Sequence, residues 1–256
     1  MIPSLQVNRK AESFMDSSFI GHLEALRIRL LIVLGVFFAF SAAALVFVQD
    51  LFEFLLVPIK GIDIPLIYIK PQEKVLTYLR TGLFYGAAGA LPFGTVILGG
   101  FVYPGLKRNE RSVYFVSLFL ALFFYIAGIV FAYVIILPFA VTFFGTFTSG
   151  DGIEPFWSMG AYFRISSSII LAMALVFQLP CVLLFLIRAG LVSPEGLAKY
   201  RKHAVIVILL TAAFLTPPDI FTQILVGAIL YLLFEGTLAA GKIIIRRKEK
   251  KNNGPA

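Results

Sequence analysis

The stretch VYFVSLFLALFFYIAGIVFAYVIIL, residues 113–137, runs for 25 positions without one charged side chain. As a helix it rises about 38 Å, more than the ~30 Å hydrocarbon core of a bilayer. A soluble domain has no core able to cover such a helix on every side, so lipid must be its solvent. Three further runs share this character: Leu30–Val48, Thr81–Val102 and Ile165–Ile187. Two shorter ones, Ala204–Leu215 and Ile220–Phe234, flank Thr216-Pro217-Pro218-Asp219, where neither proline can continue a helix. The first of that pair rises only about 18 Å, which predicts a short helical hairpin in a locally thinned bilayer; a re-entrant loop is the alternative. The expected fold class is all-α, a polytopic membrane protein with six transmembrane helices.

Composition agrees. Of the 256 residues, 59% are apolar and 14% charged, and mean hydropathy is +0.93. The net charge of +8 does not imply nucleic acid, because the cations fall in short clusters between apolar runs. The N-terminus, the 103–112 loop, the 188–203 loop and the C-terminus together hold 17 of the 22 Lys and Arg residues. By the positive-inside rule both ends are cytoplasmic, and the loops around 49–74 and 138–163 lie on the opposite side with the Pro-Pro turn. The N-terminus lacks the pattern of a cleaved signal peptide. A lone cysteine, Cys181, excludes an intrachain disulfide.

The chain reads as one integral-membrane domain over 1–256. Residues 1–29 form a cytoplasmic segment in which Phe19, Ile20, Leu23, Leu26 and Leu30 at helical spacing predict a short amphipathic helix on the membrane surface. Residues 30–240 form the six-helix region. Residues 241–256, with Arg246-Arg247-Lys248-Glu249-Lys250-Lys251, read as a disordered basic tail on an anionic leaflet.

Polar groups inside the spans are the natural functional candidates, because lipid tolerates them only with a partner or a wet cavity. Gln178, in Phe177-Gln178-Leu179-Pro180, is the clearest; it either serves function or pairs with a neighbouring helix or with carbonyls freed near Pro180. Glu235 ends the last span and reads as a carboxylate snorkelling to headgroups or to Lys242. Asp219 is placed to cap the sixth helix, with Gln223 one turn on. The loop Pro104-Gly105-Leu106-Lys107-Arg108-Asn109-Glu110-Arg111 sets a carboxylate among cations and is, on physical grounds alone, a solvated turn. His22 and His203 have no neighbours at metal-ligand spacing and read as interfacial. Neither a phosphate-binding glycine loop nor a nucleophile elbow is present, so the expectation is a protein that is not an enzyme and needs no cofactor or metal.

Several of these stretches, in order along nearly the whole chain, resemble the TatC subunit of the twin-arginine translocase, which exports folded proteins. The likeness is carried by His22-Leu23-Glu24-Ala25-Leu26-Arg27-Ile28-Arg29-Leu30 and by Phe101-Val102-Tyr103-Pro104-Gly105-Leu106 with Glu110-Arg111. Further matches are Phe131-Ala132-Tyr133 with Leu137-Pro138, Phe177-Gln178-Leu179-Pro180, Ser193-Pro194-Glu195, and Leu215-Thr216-Pro217-Pro218-Asp219 with Gln223. The resemblance implies a concave bundle and a receptor role in the bacterial cytoplasmic membrane. Glu110, Phe101, Pro104, Arg111, Leu26, Arg27 and Glu24 would form the signal-peptide patch; Pro58, Pro138, Pro180, Asp219, Gln223 and Glu235 would be structural or partner-contacting. The implied partners are twin-arginine signal peptides of folded cargo, single-span TatA-type and TatB-type subunits, membrane lipid and further copies of the chain.

This chain departs from the family's usual pattern at four positions. Ala25 replaces a second carboxylate, Gln178 replaces a glutamate, Ile97 a glutamine and Ile229 a proline. Two other functions stay open: an assembly scaffold that binds no signal peptide, and a small-solute or ion transporter, against which the lack of an internal repeat and of further midplane polar groups argues.

Overall fold

Prolines punctuate this molecule, and the helices follow from how each is accommodated. The computed structural model describes residues 4–60, 65–102, 111–147, 156–188, 190–216 and 220–252. In chain order the elements are α1 (Ser4–Val46), α2 (Val48–Leu56), β1 (Leu66–Ile67), α3 (Glu73–Val102), α4 (Arg111–Phe131), α5 (Leu137–Phe147), β2 (Trp157–Ser158), α6 (Met159–Val176), α7 (Leu179–Arg188), α8 (Pro194–Lys199), α9 (Arg201–Leu215) and α10 (Ile220–Asn252).

Among the described residues, five stretches are long and apolar enough to cross a membrane: Leu23–Val46, Glu73–Leu98, Phe115–Thr146, Met159–Arg188 and Thr222–Arg247. The 15-residue α9 rises only about 22 Å, and with it the bundle has six membrane helices, the fifth short as expected. Large side chains such as Phe38, Phe119 and Phe214 stand more than half exposed on the outer faces of these helices. In water that surface would be untenable; in lipid it is the solvated face.

Four boundaries differ from those read in the sequence. The amphipathic segment and first span are one continuous α1, because no proline or glycine pair interrupts residues 4–46. The loop after the first span opens with a helix, α2, whose Val48, Phe52 and Leu55 are buried at i, i+4 and i+7. The third span continues through Pro138 to Phe147: residues Ala132–Ile136 widen into a π-helical turn in which the Leu137 N–H donates to Ala132 O. That wider turn makes room for a proline ring that has no N–H to return to Val134. The last helix runs on past Phe234 to Asn252, so the basic tail is helical to that point rather than disordered. Lys, Arg and Glu are good helix formers, and the first breaking pair in the sequence is Gly254-Pro255.

Helix α1 packs antiparallel on α3 with little space between the backbones. A Cβ on Gly86 would stand 2.4 Å from Ser41 Cα and 2.6 Å from Ser41 N, and Gly82 and Gly89 face Leu45 and Phe40 on the same stripe. Small residues at this spacing let two membrane helices meet closely. The interior of the bundle lies further along, where Ala132, Ile136 and Leu137 on one helix meet Met173 and Ala174 on α6, all nearly or fully inaccessible. Gly128 permits that approach; its Cβ would stand 2.8 Å from Met173 O.

The segments before α3 and before α6 meet in a parallel two-residue ribbon, with Leu66 opposite Trp157 and Ile67 opposite Ser158. Glu73 fastens it. Its carboxylate accepts from the Ile69 N–H at 2.7 Å, the Lys70 N–H at 3.2 Å and the Gly160 N–H at 2.8 Å, and from the Ser158 hydroxyl. One side chain thereby joins the start of α3 to the N-terminus of α6, where free amides favour an anion. Glu73→Gln keeps the shape but replaces one acceptor oxygen with a donor. The Ile69, Lys70 and Gly160 amides are expected to exchange with solvent about tenfold faster; unchanged exchange would show that the clamp has no energetic weight.

Candidate functional site

A concavity of about 890 Å³ opens between α1, α3, α4 and the α6–α7 junction, walled by Phe40, Phe47, Pro92, Phe119 and Leu122. Among its few polar groups, Tyr125 and Gln178 are placed by helix irregularities. Pro92 lies inside α3 and leaves Ala88 O without its usual N–H four residues on; the Tyr125 hydroxyl donates to that carbonyl at 2.7 Å. Between α6 and α7 the helix breaks at Phe177-Gln178. There the Gln178 N–H turns back to Leu175 O at 3.0 Å, and Pro180 sits in the first turn of α7. The break swings the Gln178 side chain onto α4, where Nε2 donates to Ala121 O at 3.1 Å. Of the two readings of this glutamine, pairing with a neighbouring helix is therefore the one seen. A neutral amide here can donate and accept but cannot carry charge.

Pro58 ends α2 in a tight turn, Val57–Ile59. The carbonyls of that helix end are taken up by tyrosines: Tyr133 donates to Phe54 O at 2.6 Å and Tyr162 to Leu55 O at 2.5 Å. The Phe54 and Tyr133 rings also stack at 4.2 Å. Pro58, Pro138 and Pro180 thus each sit at a helix end or irregularity, and the carbonyls beside Pro58 are taken up by tyrosines of other elements.

Glu235 does not snorkel to Lys242. It forms a two-pronged ion pair with Arg201 at the start of α9, Nε to Oε1 at 2.7 Å and Nη2 to Oε2 at 2.8 Å, and accepts from the Tyr231 hydroxyl at 3.1 Å. Near the other end of the hairpin Gln223 Nε2 donates to Leu209 O at 3.4 Å, while Asp219 lies outside the described residues. Arg201 is a residue the sequence reading did not single out. Its only signal was that a cation opening α9 and a carboxylate late in α10 come level if the two helices form a hairpin.

Toward its N-terminal half, α1 presents Glu24 and Arg27 to solvent with Leu26 half-buried. The α1–α3 register continues to this end, where a Cβ on Gly100 would lie 3.9 Å from Arg29 Nη1. Residues 24–29 therefore stand beside the end of α3, which carries Phe101. Phe101 and Arg111 belong to α3 and α4, with side chains outside the described residues; Pro104 and Glu110 lie outside them altogether. No cluster of His, Cys, Asp or Glu suited to a metal occurs among the described residues.

Known proteins agree with this architecture. The family model described as Sec-independent protein translocase protein (TatC) matches residues 21–228. The chain is 36% identical over 246 residues to the Sec-independent protein translocase protein TatC of Desulforapulum autotrophicum, covering 95% of this chain and 90% of that one. It is 32% identical over 244 residues to TatCd of Bacillus subtilis strain 168, covering 94% and 98%. A crystal structure of the twin-arginine translocase receptor TatC, determined in DDM, superimposes with a TM-score of 0.74 at 30% identity, covering 86% of this chain and 99% of that one.

Proposed function

The chain belongs to the TatC family of Sec-independent protein translocase subunits, and from that premise we propose that the face formed by residues 24–29, Phe101 and the 103–111 loop receives the paired arginines of a signal peptide. One observation supports this most directly: the α1–α3 register sets Arg29 beside Gly100, so the N-terminal motif stands beside the end of α3, the helix that precedes Pro104 and Glu110 in sequence.

The chemistry is a matter of charge and shape. Arg27, Arg29 and Arg111 would repel a doubly cationic peptide, so attraction falls to the carboxylates, Glu110 first and Glu24 second. A carboxylate accepts two parallel hydrogen bonds from a guanidinium, which a lysine ammonium cannot reproduce. Phe101, Pro104 and Leu26 would supply the apolar surface around that contact. With Ala25 in place of a second carboxylate, Glu110 carries more of the recognition here than a paired arrangement would require.

The rest of the reading is protein transport without catalysis. The chain would sit in the bacterial cytoplasmic membrane with both ends inside, as the distribution of Lys and Arg supports. It would assemble with further copies of itself and with TatA-type and TatB-type single-span subunits, for which the lipid-facing α9–α10 hairpin offers exposed apolar helix surface.

Site-specific crosslinking of the membrane-embedded protein to a twin-arginine signal peptide, with a twin-lysine peptide as control, is the test. Capture should require the arginines and fall about tenfold with Glu110→Gln, the scale of one charge-assisted contact. If neither peptide is captured while partner subunits still assemble, the receptor reading fails and the scaffold reading replaces it.

A further inference from the structure

Two arginines lie within membrane helices on the side of the β1–β2 ribbon, away from the cationic clusters. Arg80 is seven residues, about 10 Å, along α3 from Glu73, and Arg164 is four residues, about 6 Å, along α6 from Gly160. Because Glu73 bonds Gly160 directly, both guanidinium-bearing positions fall a short way below the ribbon. They line one notch of about 440 Å³ between α1, α3 and α6. Both are exposed, and among the described residues neither makes an ion pair or a hydrogen bond.

The notch changes character along the membrane normal. At its upper end the exposed Ser168 joins the arginines, with Thr77, Thr81 and Ser167 buried in the wall behind; at its lower end it is lined by Phe37, Phe84 and Ala87. From Thr77 to Ala87 the wall on α3 runs about 15 Å toward the midplane. A cationic, polar mouth above an apolar slot matches a molecule with an anionic head and a hydrocarbon tail. A soluble anion would use only the mouth, and an apolar helix only the slot.

We infer that this notch is a binding site for an anionic phospholipid of the leaflet on the ribbon side, its phosphate held by Arg80 and Arg164 and one acyl chain lying along Phe84 and Ala87. Arginine's planar fork is suited to phosphate oxygens, and the exposed Ser168 hydroxyl can donate to one that remains. The lipid would fill the seam between α3 and α6 below the Glu73 clamp and neutralise two charges that are costly at that depth.

The full-length chain in neutral detergent, titrated with phosphatidylglycerol or with phosphatidylcholine of the same acyl chains and read by native mass spectrometry, tests this. The basic residues at the far end also attract anionic lipid, so the comparison is between wild type and Arg80→Gln/Arg164→Gln. Wild type should hold one phosphatidylglycerol at roughly tenfold lower lipid concentration than the double variant, with no such difference for phosphatidylcholine. If the double variant does not fold, Arg80→Gln and Arg164→Gln singly should each shift retention severalfold. Equal retention by wild type and the folded variants overturns the inference. Displacement of the lipid by millimolar inorganic phosphate assigns the notch to a free anion, and displacement by a carboxylate-bearing helical peptide assigns it to a protein partner; either result also overturns it.

Discussion

Gly86→Leu should separate α1 from the rest of the molecule. Even the first carbon of a side chain there would stand 2.2 Å from Ser41 Oγ and 2.4 Å from Ser41 Cα, and a backbone atom cannot rotate away. The helices must move apart, and the contacts on either side at Gly82 and Gly89 loosen with them. Overpacking of this kind costs about 3 kcal/mol at the upper end of its usual range, or about 6–12 °C in melting temperature for a domain of this size. Gly35→Leu is the control, since a Cβ on Gly35 meets nothing within 4 Å and its melting point should be unchanged. Equal melting of wild type and Gly86→Leu would show that α1 is not held by this seam. Function should fall with it: α1 carries Glu24, Leu26 and Arg27 and supplies Phe40, Ala43 and Ala44 to the concavity, so its detachment would disperse the proposed receptor face without touching Glu110.

Why the spans were legible and their joints were not follows from the physics of each. A run such as residues 113–137 has one stable solution in lipid, and it can be read without knowing its neighbours. The short α9 was equally readable, because two prolines and a 12-residue apolar run fix its length. The ribbon could not be read: Leu66–Ile67 and Trp157–Ser158 are two residues each, some 90 positions apart, and pair only because Glu73 and the ends of α3 and α6 bring them together. Pro138 suggested an end where the helix widens by one residue and continues, a choice set by packing around Ala132 and Ile136 rather than by the proline itself. The basic tail illustrates the opposite error, since charge suggested disorder while helix propensity over the same residues favoured continuation. At the candidate site, the residues on α1 could be named from sequence. That Arg29 stands beside Gly100 depends on a glycine stripe on α3 whose spacing, Gly82 to Gly86, was visible but not used.

Gln178 shows what a departure from the family's pattern does to a site. A glutamate at this position would face Ala121 O, an acceptor, and only its protonated form could donate to that carbonyl. The amide donates without any proton uptake, so the bond to α4 persists across the pH range and the wall of the concavity is held constant. A group that changes its charge is thereby absent from this wall, and no step that needs one can be placed on Gln178.

The α9–α10 hairpin depends on a pair that can be reversed. Arg201→Glu should place two carboxylates against each other where Arg201 and Glu235 now bond, and Glu235→Arg should do the same with two cations. Both side chains keep solvent contact, 45% and 29% exposed, so screening limits the pair itself to about 1 kcal/mol. Reversal adds repulsion and removes the Tyr231 contact or misdirects it, for a total of about 2 kcal/mol, or roughly 5 °C in melting temperature. The exchanged pair, Arg201→Glu/Glu235→Arg, should recover more than half of that loss, because the fork-to-carboxylate geometry is restored with its direction inverted. If the exchanged protein melts no higher than the worse single variant, the two residues are not coupled and the hairpin is held by apolar packing alone. Recovery would mean that a helix too short to span the bilayer unaided is fixed at its N-terminal end by this pair, leaving its apolar face free for single-span partners.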